Sequence, residues 1–270
     1  MDDRPIGVFD SGLGGLTTVR ELCRLLPEED IVYFGDTGRV PYGSRSRETI
    51  VKYARQDVAF LRTFDLKTIV IACGTVSTTA LDVLAAENPI PVLGVVAPAA
   101  RAAARATRSG SIGLIGTQAS IRSGAYERLI RAENPAARVL AQPCPLFVPL
   151  VENGRFRPGD VVIETVAAEY LAPLREAGVD TLVLGCTHYP LLEKVIGAYM
   201  GPEVRIINSG AEGARAAADC LRERDALAGP GRGSCRCFVS DRQEDFSRLA
   251  STFLGWDVAQ AVEQVDISQY

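Results

Sequence analysis

"TIVIACGTVS" (Thr68–Ser77) and "TLVLGCTHYP" (Thr181–Pro190) share one plan: a threonine, an apolar run, and a cysteine five residues after that threonine. Each run is short, rich in Val, Ile or Leu, and followed by glycine or small hydroxylated residues, the marks of a buried strand ending in a turn. A cysteine therefore reaches the tip of a strand twice, at Cys73 and at Cys186. In open parallel sheets, ligands sit outside those carboxyl ends.

Outward from these stretches, short Val- and Ile-rich runs alternate with longer Ala-, Leu-, Arg- and Glu-rich ones, the pattern of parallel strands joined by crossover helices. The fold class is α/β. Strands are predicted at 6–9, 31–34, 68–72, 92–95, 111–115, 139–141, 181–184, 205–207 and 236–240, with helices over 17–26, 46–64, 77–87, 97–107, 120–133, 159–177 and 210–224. A faint duplication runs through them. "IGVFDSG" from Ile6 is echoed by "IGLIGTQ" from Ile112; Gly7 and Gly113 are 106 residues apart, and Cys73 and Cys186 are 113 apart. The reading is two similar halves facing each other, with four strand ends of interest: Asp10-Ser11, Cys73, Thr117 and Cys186.

Composition narrows the function. The chain has 270 residues, 47% of them hydrophobic, enough for one large or two smaller domains. With 29 Lys and Arg against 33 Asp and Glu, and a pI near 5.3, no basic footprint for nucleic acid is present. The start, "MDDRPIGVFDSG", lacks the basic and long apolar regions of a secretory leader. A cytoplasmic protein without membrane contact is expected. Seven cysteines form an odd, scattered set suited to a reducing compartment. No CxxC pair occurs, His188 is the single histidine, and Cys235 and Cys237 are too close for usual zinc spacing, so no metal site is expected. "DSGLGG" breaks the GxGxxG order, and no GxxxxGK[ST] loop occurs, which excludes the common nucleotide-binding fingerprints.

"CGTVST", "CTHYP", "FDSGLGG" and "GTQAS" each place small residues where a strand gives way to a helix, and backbone N–H groups there can hold a carboxylate. One such turn is ordinary chain geometry; four converging on one cleft imply a site for an anion. Cys23, Cys144 and Cys220 read as small buried hydrophobes. Cys73 and Cys186 differ, because a thiol near its reference pKa of about 8.5 can serve as acid or base when its surroundings favour the thiolate. Two thiols on opposite walls of a cleft could remove a proton from a carbon and return one from the other face. A thiol hydrolase would instead need one Cys with a His base, a role open to Cys186 with His188 but not to Cys73.

"GVFDSGLGG", "YFGDTGRVPYGSRSRETI", "IACGT", "GTQASIRSGAY", "CPLFVPLVENG" and "LGCTHYPLL" resemble, in order, the motifs of cofactor-independent glutamate racemases within the aspartate/glutamate racemase superfamily. The likeness runs from Ile6 to about Gly210. It implies two similar α/β domains, each a mainly parallel sheet flanked by helices, with the active site in the cleft between them. Residues 1–97 plus 208–270 would form the first and 98–207 the second. It also implies that Cys73 and Cys186 are the catalytic pair, assisted by Asp10 and His188, and that no cofactor is needed. Asp10, Ser11, Tyr42, Gly43, Gly74, Thr75, Thr117, Glu152, Thr187 and His188 would bind the substrate. The implied substrate is glutamate, its D-form feeding peptidoglycan synthesis, and the implied assembly a homodimer.

The sequence departs from that pattern at Cys73-Gly74-Thr75, where the family usually has Cys-Asn-Thr. An Asn side chain offers donors and an acceptor, and Gly74 offers only backbone, so a hydrogen bond worth about 1.5–3 kcal/mol to a charged group is lost unless water or a neighbouring side chain replaces it, which bears on substrate identity and affinity rather than on the two-thiol chemistry. Asn208-Ser209 also replaces the expected Asp-Ser pair. Racemisation of aspartate or another amino acid, and a non-catalytic amino-acid-binding role, are the competing readings.

Overall fold

The computed structural model describes residues 1–241, 243–256 and 262–270. In chain order its strands are β1 (Ile6–Asp10), β2 (Ile31–Gly35), β3 (Thr68–Ile71), β4 (Val92–Gly94), β5 (Ser111–Gly116), β6 (Arg138–Pro143), β7 (Thr181–Leu184), β8 (Arg205–Asn208), β9 (Cys235–Val239) and β10 (Val262–Gln264). The helices are α1 (Leu16–Leu25), α2 (Arg47–Leu61), α3 (Gly74–Thr79), α4 (Leu81–Glu87), α5 (Val96–Ala106), α6 (Gln118–Arg122), α7 (Ala125–Glu133), α8 (Phe147–Glu152), α9 (Val161–Glu176), α10 (Glu193–Met200), α11 (Ser209–Glu223) and α12 (Gln243–Leu254).

Every strand pairing among the described residues is parallel. One sheet has the order β10-β9-β2-β1-β3-β4 and the other β6-β5-β7-β8. The run β2-β1-β3-β4 thus recurs as β6-β5-β7-β8, and β3 and β7 hold equivalent places. This explains the paired cysteines, since each follows the strand beside the point where the winding reverses. Such reversal points open the crevice in which open α/β sheets hold ligands.

The central strands β1, β2, β3 and β7 are buried along their whole length, which is why they read as continuous apolar runs rather than alternating ones. Helices cover both faces. α11 packs against α1 and α5, and its buried Ala214, Ala217 and Ala218 share a core cluster with Leu16, Val19 and Leu22 of α1. Small side chains there let the helix axes approach closely.

Two predicted helices are each split. The run 77–87 divides at Ala80 into α3 and α4. The run 120–133 divides at Gly124, whose φ of +61° is a left-handed turn that glycine adopts without a Cβ clash. α8, α10, α12 and β10 were not foreseen. α8 carries Pro149, a breaker by pattern, but proline in a first turn gives up no intrahelical N–H bond. Asn208 finds its explanation here: its side chain accepts from Ala211 N at 3.2 Å and caps α11. Ser209 Oγ donates to Leu184 O at 2.7 Å, tying α11 to the end of β7. Among the described residues no helix is long and apolar enough to cross a membrane.

Candidate active site

A cavity of about 390 Å³ opens at the carboxyl ends of the two sheets. From the first sheet's side it is lined by Ser11, Tyr42, Gly43, Cys73, Gly74 and Thr75, and from the second's by Thr117, Glu152, Cys186, Thr187 and His188. All the residues singled out in the sequence therefore meet at one cavity except Asp10, which sits behind the lining.

Cys73 is the residue before α3, and its thiol donates to Ser11 Oγ at 3.4 Å. Burial pushes the thiol up to about 12, and the carboxylate of Asp10 adds to that. The Ser11 hydroxyl and the N–H groups of Val76 and Ser11 pull the other way, since each stabilises a thiolate. Asp10 itself is almost fully buried, and desolvation raises its pKa against the influence of His188 and of nearby backbone N–H groups. Its Oδ2 accepts from Gly12 N at 3.1 Å, while Oδ1 has no partner among the described residues. A buried carboxylate half-satisfied in this way favours a proton.

On the other wall, His188 Nδ1 lies 4.0 Å from Cys186 Sγ, and His188 Nε2 lies 2.9 Å from Glu152 Oε1. Burial opposes charging the imidazole, but Cys186 and Glu152 together raise its pKa to about 10. His188 therefore holds a proton more readily than a free imidazole does, and it faces the Cys186 sulfur. The ring of Phe253 in α12 meets it edge-on, centroids 5.5 Å apart.

The two walls are joined. Thr17 Oγ1 donates to Thr187 O at 2.9 Å, and the hydroxyls of Thr75 and Thr117 lie 3.1 Å apart. A Cβ on Gly14 would collide with Thr187 Oγ1 and come within 2.5 Å of His188 Nδ1. That close approach is the physical reason for glycine in "SGLGG".

Tyr42 is held by a buried polar cluster that sequence inspection missed. Its hydroxyl contacts Asp36 Oδ2 and lies 3.1 Å from Asp57 Oδ2. Arg39 bridges the same carboxylates, from Nε to Asp36 at 2.6 Å and from its terminal nitrogen to Asp57 at 2.8 Å. Burial and the neighbouring Asp36 raise Asp57 well above the ordinary carboxylate range, against the pull of Arg39. The phenol has one hydrogen for two carboxylates, so a proton on Asp57 completes the cluster. Cys144, Pro145, Val148 and Pro149 form a further, largely apolar wall. Cys144, read from sequence as a plain core residue, borders the cavity, and burial keeps its thiol protonated.

The family model described as Asp/Glu/Hydantoin racemase matches residues 9–217. A glutamate racemase of Geobacter metallireducens is 49% identical over 256 residues, covering 94% of each chain. The crystal structure of a glutamate racemase isoform from Bacillus anthracis superposes with a TM-score of 0.93 at 38% identity, covering 98% of both chains. That of the Francisella tularensis glutamate racemase in complex with D-glutamate does so with a TM-score of 0.92 at 37% identity, covering 100% of both. The chain belongs to the aspartate/glutamate/hydantoin racemase family.

Proposed function

We propose that the chain interconverts L- and D-glutamate, with Cys73 and Cys186 as the two acid/bases. The observation that carries this reading is the arrival of two cysteines from equivalent strands at one cavity, each with its own polar partner, Ser11 or His188. In one direction the thiolate of one cysteine takes the α-hydrogen as a proton, leaving its electron pair on the α-carbon. The thiol of the other cysteine donates a proton to the opposite face. The two sulfurs exchange protonation states, the configuration inverts, and no net atom is gained or lost. Microscopic reversibility gives each thiol the opposite duty in the reverse direction.

Asp10 beside Cys73 and His188 beside Cys186 are proposed to hold and release the proton that each sulfur must carry in turn. Glu152 would orient His188. The hydroxyls of Ser11, Thr75, Thr117 and Thr187, with the backbone around Gly43 and Gly74, would take the substrate's carboxylates; such preorganised donors stabilise the charge that develops as the α-proton leaves. Glutamate is favoured over aspartate by the full-length likeness to glutamate racemases, one of them described with D-glutamate bound. We further propose the division into units 1–97 plus 208–270 and 98–207, consistent with the membership of the two sheets, a supply of D-glutamate for peptidoglycan, and a homodimer.

The test is deuterium incorporation at the α-carbon of L- and D-glutamate in heavy water, with optical rotation followed alongside. Wild-type protein should exchange both enantiomers and lose optical activity, and Cys73→Ala and Cys186→Ala should each abolish racemisation. Full activity in either single variant would overturn the two-thiol reading. Exchange with aspartate alone would keep the chemistry and move the substrate.

A further inference from the structure

A second cavity, of about 440 Å³, lies behind the turn that carries Tyr42 and Gly43, and its lining includes Arg45, Arg47, Arg122 and Arg128. None of these four guanidinium groups forms an ion pair among the described residues, and Arg128 Nη1 donates to Ser123 O at 2.7 Å. Asp82 is the single carboxylate on the lining. In a chain of net charge −4, four solvent-exposed cations without an ion pair around one concavity, opposed among its described lining residues by Asp82 alone, are a local reversal of sign.

Their placement adds a second observation. Arg45 and Arg47 lie at the start of α2, directly after the Tyr42–Ser44 turn, on the side of the first sheet. Arg122 ends α6 and Arg128 lies in α7, both on the side of the second sheet. The cavity therefore straddles the same two walls as the candidate active site. The two cavities flank the Thr75–Thr117 contact, with Thr75 and Thr117 on one lining and Thr78 and Ala119 on the other.

Like charges lining a small concavity repel each other, and a polyvalent oxyanion relieves that repulsion while accepting several charge-assisted hydrogen bonds. Guanidinium forks match phosphate oxygens in particular. We propose that this cavity is a binding site for a polyvalent phosphate, distinct from the amino-acid site, and that its ligand clamps the two walls together.

The test is isothermal titration of the intact protein with inorganic pyrophosphate, in chloride buffers matched for ionic strength, together with thermal unfolding. Saturable one-to-one binding is expected, along with a rise in unfolding temperature. The variant Arg45→Gln/Arg122→Gln, which removes one cation from each side, should weaken binding roughly tenfold or more. Its unfolding temperature without ligand should be equal to or above that of the wild type, because a repulsion has been removed. A Cys73→Ala variant should bind pyrophosphate as the wild type does. Absence of saturable binding would overturn the proposal, as would unchanged affinity in the arginine variant or displacement of pyrophosphate by glutamate in direct competition. These outcomes are independent of whether the chain racemises glutamate.

Discussion

Gly74 faces the backbone of Gly185 so closely that a Cβ added to Gly74 would stand 2.6 Å from Gly185 O. The two glycines belong to the turns that carry Cys73 and Cys186, so their approach sets how near the two sulfur-bearing walls come. From sequence, Gly74 reads as a lost hydrogen bond; in the structure it is a contact that leaves no room for a side chain. Gly74→Ala should therefore cost about 1–3 kcal/mol of stability by overpacking, and Gly74→Asn should lower racemisation rather than restore a missing contact. Denaturant unfolding and turnover of both variants check this. A more active Gly74→Asn protein would show that the absent amide, and not the space, is what limits the site.

The histidine pair predicts a pH dependence of stability. The folded pKa of His188 is raised to about 10 from an ordinary 6.5, with burial opposing and Cys186 and Glu152 prevailing. A group whose pKa is raised on folding contributes stability that is complete below the unfolded value and is lost as pH rises through the folded one. The stability difference between wild type and His188→Asn should therefore be largest near pH 6 and shrink between pH 6.5 and 10. Chemical unfolding across that window measures it, and a difference independent of pH would mean that His188 acts by packing alone.

Much of the fold was legible because buried parallel strands advertise themselves as apolar runs; Thr68–Ile71 and Thr181–Leu184 needed only length and flanking residues to be placed. The site was legible where chemistry sits at strand ends, as at Cys73 and Thr117. What escaped were relations that local pattern does not encode. Asp36 and Asp57 meet at Tyr42 from either side of it in sequence, 21 residues apart, and no local spacing links them. The wall from Cys144 to Pro149 was hidden because prolines at 145 and 149 mark a loop by pattern, although α8 forms there.

The Tyr42 cluster yields a stability prediction. Arg39 is the one cation bonded to the two buried carboxylates of Asp36 and Asp57 among the described residues. Removing it as Arg39→Met should cost about 3–5 kcal/mol, the usual penalty for stranding a buried charge. It should also raise KM for the substrate, because the turn bearing Tyr42 and Gly43 loses its anchor. Adding Asp36→Asn should recover part of both losses, since the amide keeps the shape and removes the charge that remains in the cluster once Asp57 carries its proton. If the double variant were no better than Arg39→Met, the charge accounting given for the cluster would be wrong.

Glu152 offers the last test, because under the proposed mechanism it separates orientation of His188 from proton transfer at Cys186. Its Oε1 lies 2.9 Å from His188 Nε2, and its side chain is partly exposed at 39%. Glu152→Gln keeps a polar partner for the ring but removes the negative charge that helps hold it protonated, so the pKa of His188 should fall. With the imidazolium less populated, Cys186 loses a cationic neighbour, and the pH at which kcat/KM declines on the alkaline side should move down. Isotope exchange that begins with abstraction by Cys186 should slow more than exchange that begins with abstraction by Cys73. The measurement is the pH profile of α-hydrogen exchange for each enantiomer separately. Equal slowing of both, with no shift in the alkaline limb, would place Glu152 in substrate binding instead.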